Sequence, residues 1–375
     1  MNVERYNTEL QELKAAGNLR KLPKVIPVDY INLSSNDYLG LTSDESLVQE
    51  FYSEHGIQQK MSAASSRLLT GNSNAYHTLE NTLMQAYQRE ACLIYNSGYH
   101  ANTGILPALA GKKDLIIADK LVHASIIDGM QLSKADIARY RHLDYTHLEK
   151  ILHNKRDKYE NVFIVSESIF SMDGDCANLP ELVRIKKQHK CFLYIDEAHA
   201  VGACGQNGLG MLEAENLIQE CDFIVGTFGK ALTSIGAFVV CSQVFKNYLV
   251  NKSRTLIFTT ALPPINLAWT NFIFRYQKKL SDKREQLRKL SFTFAANLGK
   301  SGESHILPYI TGNNESALTL SDYLGENKIH ALPVRYPTVP KNTARIRFSL
   351  HAALSEEDLK NVARIVKNYD IEVDK

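Results

Sequence analysis

Apolar residues recur at helical spacing from Asn2 to Ala16, and Gly17, Asn18, Pro23 and Pro27 then break the pattern ahead of the polar-aromatic stretch Ser34-Ser35-Asn36-Asp37-Tyr38. This predicts an amino-terminal arm, taken as residues 1–45. The middle of the chain alternates short β-branched or aromatic runs with helical stretches. The runs are Ala91 to Tyr95, Leu115 to Ala118, Ile137 to Tyr140, Val162 to Ser166, Phe192 to Ile195, Phe223 to Val225 and Ala237 to Cys241. Strands alternating with helices imply an α/β fold whose largely parallel sheet carries helices on both faces. After Pro263-Pro264 one long helical pattern runs from Ile265 to Leu298, followed by an expected strand from Arg345 to Leu350 and a closing amphipathic helix near Ser355. The domain boundary is placed within the long helix, giving a large domain over 46–280 and a small α+β one over 281–375.

Length and composition narrow this picture only a little. At 375 residues, 44% hydrophobic and 22% charged, the chain suits one large domain with a smaller companion. Lys plus Arg number 43 and Asp plus Glu 41, so a formal charge of +2 supplies no general field for nucleic acid or an acidic membrane. Six scattered cysteines include no C-x-x-C pair, which points to reduced thiols and to no metal site. The amino terminus is charged, and no run approaches the roughly 18 apolar residues of a membrane span. A soluble, cytoplasmic protein with no nucleic-acid or membrane partner is expected.

Chemistry concentrates at two places. In Phe192-Leu-Tyr-Ile-Asp196-Glu-Ala-His199 an apolar strand runs into an acid and, three residues later, an imidazole. In Phe223-Ile-Val-Gly-Thr227-Phe-Gly-Lys230 another strand ends in a small-residue loop carrying a lysine. About one strand-helix-strand unit separates them, so both groups can reach the same sheet edge. A lysine able to form a Schiff base, with an anion able to keep a pyridine nitrogen protonated, is what pyridoxal 5'-phosphate (PLP) needs. Asp196 can supply the anion, His199 can face the phenolic oxygen, and the Thr227 hydroxyl can serve the phosphate. Ser97-Gly98-Tyr99, after a strand and opening a helix, offers backbone N–H groups and a helix dipole to the same phosphate. Asp196-Glu-Ala-His199 also spells the acidic motif of a group of helicases. Those proteins need an earlier G-x-x-x-x-G-K-[ST] loop, and the chain has none.

Eight motifs in order make the chain resemble the α-oxoamine synthases, PLP enzymes that condense an amino acid with an acyl thioester and release carbon dioxide. They are Ser35-Asn-Asp-Tyr-Leu-Gly-Leu41, Asn96-Ser-Gly-Tyr99, His123-Ala-Ser-Ile-Ile-Asp128, Glu167-Ser-Ile-Phe-Ser-Met-Asp-Gly-Asp175, Asp196-Glu-Ala-His199, Gly226-Thr-Phe-Gly-Lys230, Phe258-Thr-Thr-Ala-Leu-Pro-Pro264 and Arg345-Ile-Arg347. The resemblance covers nearly the whole chain. It implies the fold-type I PLP-dependent transferase architecture, like that of aspartate aminotransferase.

Residue by residue, the resemblance implies that Lys230 carries the cofactor and acts as general base, Asp196 and His199 hold the ring, and His123 stacks on it and serves the substrate. Ser171 becomes a polar neighbour of ring and substrate. Thr259 and Thr260 reach the partner's phosphate in a homodimer with shared active sites. Arg347 holds the amino acid carboxylate, with Arg345 as the alternate on the same strand, and Asn36 joins the substrate residues. Arg20 and the short chain imply L-alanine and a pimeloyl thioester as substrates. Glycine with an acyl-CoA is the sister alternative, and an aminotransferase a more remote one. The departures are Lys60 to Arg67 in place of a glycine-rich stretch, Val122 before His123, and Thr233 where many members carry glycine.

Overall fold

The computed structural model describes residues 3–23, 25–56 and 60–373. The chain forms two compact units, one of Met1–Tyr38, Ser171–Asp175 and Gln286–Lys375, the other of Leu39–Phe170 and Cys176–Glu285.

The second unit is built on seven strands, β1 (Ala91–Tyr95), β2 (Leu115–Asp119), β3 (Asp136–Tyr140), β4 (Val162–Glu167), β5 (Phe192–Asp196), β6 (Phe223–Thr227) and β7 (Ala237–Cys241). Each expected strand is there, within two residues of its expected ends. They lie in the order β1-β7-β6-β5-β4-β2-β3. β7 is antiparallel to β1 and to β6, and the other pairs are parallel. Every residue of β1, β2 and β4 is buried, so both sheet faces are covered, and the apolar runs without alternation follow from that. The edge strand β3 instead exposes Asp136, Ile137 and Arg139, and charge on an edge discourages pairing with another chain.

Two antiparallel steps through β7 leave β1 pointing the same way as β6. The carboxyl ends of β1, β2, β4, β5 and β6 therefore share one sheet edge, where α/β proteins bind ligands. Helix α1 (Gly98–Leu109) follows β1, and Ser97 caps it by accepting the His100 N–H at 3.2 Å. Helix α2 (Ala124–Leu132) follows β2 and is capped by His123, whose Nδ1 accepts the Ser125 N–H at 3.2 Å. The two helices press together at Gly129, where a methyl group would lie 2.4 Å from the Asn102 carbonyl oxygen.

In the first unit, β8 (Ile306–Gly312), β9 (Pro333–Val334) and β10 (Ala344–Ser349) form an antiparallel sheet in the order β9-β10-β8. Helices Asn314–Glu326 and Glu356–Val373 accompany it. The arm is tied in by Ile31–Asn32, which pairs in parallel with Ile329–His330. Its helix spans Glu4–Ala15, and Asn2 lies outside the described residues.

The expected single helix over 265–298 is instead two, Pro264–Tyr276 and Ser281–Asn297, joined by a tight turn at Gln277–Lys279. Ser281-Asp282 is a helix-start signal inside the apolar repeat. The buried Arg284 donates to the Gln277 carbonyl at 2.8 Å and to the Gln206 carbonyl at 2.6 Å, which holds the break in place. Among the described residues no helix is long and apolar enough to cross a membrane.

Candidate active site

At the carboxyl edge of the large sheet a cavity of about 190 Å³ is lined by residues of five strand-end segments. Gly98, Tyr99 and Asn102 come from α1, His123 and Ser125 from the start of α2, Glu167, Asp196, Ala198 and His199 from the ends of β4 and β5, and Thr227 and Lys230 from the loop after β6. Lys230 Nζ lies 2.7 Å from His199 Nε2. The lysine loop is a tight turn, with Thr233 N donating to the Lys230 carbonyl at 2.9 Å and Ser234 N to the Phe228 carbonyl at 2.9 Å. Thr233 pays for that turn with φ +43°, a left-handed conformation unusual for a β-branched residue.

Asp196 is 5% exposed and its two oxygens are fixed from different sides. Oδ2 accepts Asn102 Nδ2 at 2.8 Å, and Oδ1 accepts the Ala198 N–H at 2.9 Å. Glu167 is its direct register partner across β4 and β5. Two carboxylates side by side in a buried site cannot both ionise cheaply. Burial first, and then the charge of Asp196, push the Glu167 carboxyl well above the usual range. Glu167 Oε1 accepts the backbone N–H of His123 and so fixes the start of α2. Burial lowers the His123 pKa, leaving a neutral imidazole at physiological pH. Glu197, the other acid of that motif, is fully buried and pushed up to about 7 by burial. It binds Ser168 Oγ at 2.6 Å and the Met211 and Leu212 N–H groups at 3.0 and 2.7 Å. It is a cap for the short helix Met211–Ala214 and does not line the cavity.

Asn102, Ser125 and Glu167 were not singled out as site residues from sequence. One signal was available for Glu167, which ends its strand as Asp196 ends the next. Asn102 lies one helical turn beyond Gly98, and Ser125 two residues beyond His123. The Thr227 hydroxyl donates to the Gly236 carbonyl at 3.0 Å. Tyr99 donates to Asp128 Oδ2 at 2.7 Å. Thr259 and Thr260 do not line the cavity; Asn96 Nδ2 binds the Thr260 carbonyl at 2.7 Å and Thr259 Oγ1 at 3.3 Å.

Arg20, Asn36, Ser171, Arg345 and Arg347 belong to the first unit. Arg345 is buried, and its charge is matched by Asp173, to which it is ion-paired. Among the described residues Arg347 binds neutral groups: the Ser171 carbonyl, Asn36 Oδ1 at 3.2 Å and Ser349 Oγ at 2.6 Å. Of the two arginines, 347 is the one with charge left to offer an anion. Arg20 is exposed and reaches Thr338 Oγ1 at 3.1 Å.

The model of the aminotransferase class I and II family matches residues 28–366. The chain belongs to that family. A Glaesserella parasuis serovar 5 protein named "Putative 8-amino-7-oxononanoate synthase" is 50% identical, over 95% of this chain and 98% of its own. A Haemophilus influenzae protein of the same name is 48% identical, over 96% and 99%. Among solved structures, the serine palmitoyltransferase of Sphingomonas wittichii superposes with a TM-score of 0.88 at 28% identity, covering 97% of each chain. The 8-amino-7-oxononanoate synthase of Francisella tularensis gives 0.75 at 29% identity, covering 92% of this chain and 99% of that one. A serine palmitoyltransferase from S. paucimobilis, solved with bound PLP–myriocin aldimine, gives 0.87 at 28% identity, over 97% and 96%. This family member is therefore a fold-type I, PLP-dependent enzyme of the α-oxoamine synthase type. The cavity suits that cofactor chemically, since a doubly anchored carboxylate, an amine beside an imidazole, and a capped helix amino terminus converge on it.

Proposed function

We propose that the protein condenses L-alanine with a pimeloyl thioester, carried by coenzyme A or a carrier protein, to give 8-amino-7-oxononanoate, carbon dioxide and free thiol, a step of biotin synthesis. The observation that carries the chemistry is the single cavity holding Lys230, His199 and the anchored Asp196. The substrate choice is supported by relatives of that name at 48–50% identity over nearly the full chain.

In this reading Lys230 carries the cofactor, Asp196 holds a proton on its ring nitrogen, and His199 faces its phenolic oxygen. Ser97, Gly98, Tyr99 and Thr227 take the phosphate, with Thr259 and Thr260 of a second copy completing it in a homodimer. Bound PLP supplies an electron-poor ring that accepts the electron pair left when a bond at the substrate α-carbon breaks. Arg347 grips the alanine carboxylate, with Asn36 and Ser171 setting the guanidinium. The Lys230 amine would take the substrate's α-proton and later return one after carbon dioxide has left. His123, neutral and exposed, would stack against the ring and donate to the oxyanion that develops on the thioester carbonyl. Arg20 offers an exposed guanidinium to the distal carboxylate of the pimeloyl chain.

The test is a product assay with purified protein, PLP and a pimeloyl thioester, offering alanine, glycine or serine in turn and weighing the amino ketone by mass spectrometry. Alanine should give the dominant product, and Lys230→Ala should give none while losing the borohydride-fixed PLP mass on its peptide. Preference for glycine or serine would overturn the substrate choice, because one methyl group in a pocket decides only about 1–3 kcal/mol.

A further inference from the structure

A line of polar groups beneath the cavity has a direction set by chemistry. Asp196 Oδ2 can only accept, so the Asn102 atom 2.8 Å from it is the amide nitrogen. The second hydrogen on that nitrogen points to Ser125 Oγ, 2.9 Å away. The amide oxygen then faces the Tyr194 hydroxyl, which must donate to it. Ser125 Oγ, having accepted from Asn102, keeps its own hydrogen for His123 Nδ1 at 2.8 Å. The Ser125 backbone N–H points at the same Nδ1 from 3.2 Å, and a backbone N–H cannot accept. That backbone donor requires the ring nitrogen to be bare, and the Ser125 hydroxyl then donates to it as well. Tyr194, Asn102 and Ser125 are 0%, 1% and 1% exposed, so water does not compete for the bonds among these three, while His123 at the end of the line is exposed.

We infer that Asn102 and Ser125 are positioning residues that together fix the Asp196 carboxylate and hold His123 as the neutral tautomer with its proton on Nε2. The role of this arrangement in catalysis rests on the PLP reading of the cavity; the arrangement itself does not. A His123 fixed in this way is a hydrogen-bond donor and not a base, which is what a developing oxyanion requires. The charged or titratable groups facing it are Asp196, Lys230 and Asp128, with Glu167 bound to its backbone N–H. The carboxylates favour an imidazolium, and Lys230, burial and the two donors oppose it.

The test is a long-range proton–nitrogen correlation spectrum of protein labelled with nitrogen-15 histidine, with and without PLP, in which the His123 signals are those that His123→Gln removes. Wild type should show the Nε2–H tautomer near pH 7. Ser125→Ala, folded by circular dichroism, should show a mixture of tautomers and a His123 titration moved to higher pH, and Ser125→Thr should restore the single form. Asn102→Ala should weaken PLP binding about tenfold or more, the loss expected for one hydrogen bond to a charge. A wild-type Nδ1–H tautomer, or a Ser125→Ala spectrum identical to wild type, would overturn the inference. A protein that shows the Nε2–H form but binds no PLP would leave it standing and overturn the cofactor reading of the cavity instead.

Discussion

Gly129→Ala is a small change outside the cavity lining that should nonetheless disturb the cavity. The added methyl would lie 2.4 Å from the Asn102 carbonyl oxygen and 3.1 Å from its carbon, against ordinary contacts of 3.4 Å or more. Both partners are helical backbone, so relief requires α1 to retreat from α2 by about 1 Å at Asn102. If the side chain rides with its helix, the 2.8 Å bond from Asn102 Nδ2 to Asp196 stretches beyond hydrogen-bonding range. The overpacking should cost about 1–3 kcal/mol of stability, and each kcal/mol lowers the melting midpoint by about 2–4 °C. Losing a hydrogen bond to a charge should weaken PLP binding about 10- to 100-fold. Gly325→Ala is the control, a helical glycine whose added methyl meets nothing within 4 Å, and it should stabilise by about 0.5–1 kcal/mol. Scanning fluorimetry and equilibrium dialysis against PLP read both effects. A Gly129→Ala protein with the midpoint and PLP affinity of wild type would refute the claim that helix spacing sets Asp196.

The other expectations are independent of that contact. Because burial holds the Glu167 carboxyl well above its unfolded value, wild type gives up stability as pH rises from about 4.3 toward the raised folded value. Glu167→Gln should therefore be more stable than wild type at neutral pH and equal to it near pH 4; urea midpoints across that range that run parallel would show Glu167 ionised in the fold. Arg345→Leu leaves Asp173 without its buried partner and should lose about 2–3 kcal/mol in chemical denaturation. Arg347→Leu, whose partners are neutral, should keep its midpoint but raise the KM for alanine about 10- to 100-fold; the reverse pattern would exchange the two roles. Thr233→Gly relieves a positive φ in the turn that carries Lys230 and should raise stability by about 1 kcal/mol, with an unchanged midpoint as the contrary result.

How far the residue pattern could be read depended on which interactions are local along the chain. Six of the seven strands were legible because burial on both faces leaves unbroken β-branched and aromatic runs, as in Leu115–Asp119, whereas the edge strand Asp136–Tyr140 exposes part of its run. Asp196, His199 and Lys230 were legible because strand ends announce themselves: an apolar run that stops at a polar group puts that group on the sheet edge. The turn at Gln277–Lys279 was not, since the apolar repeat continues across it and the break is held by Arg284 reaching the distant Gln206 carbonyl. The polar residues under the cavity were hidden for a related reason. Asn102 has a meaning only once β1 and β5 are in one sheet and its amide meets Asp196, 94 residues later in the chain. Glu167 is decided by tertiary context, because burial first, and then the register that sets it beside Asp196 across β4 and β5, raise the pKa of an ordinary strand-end acid. Residues that act through one bond to their own neighbours could be named from sequence; those that act by adjusting another side chain needed coordinates.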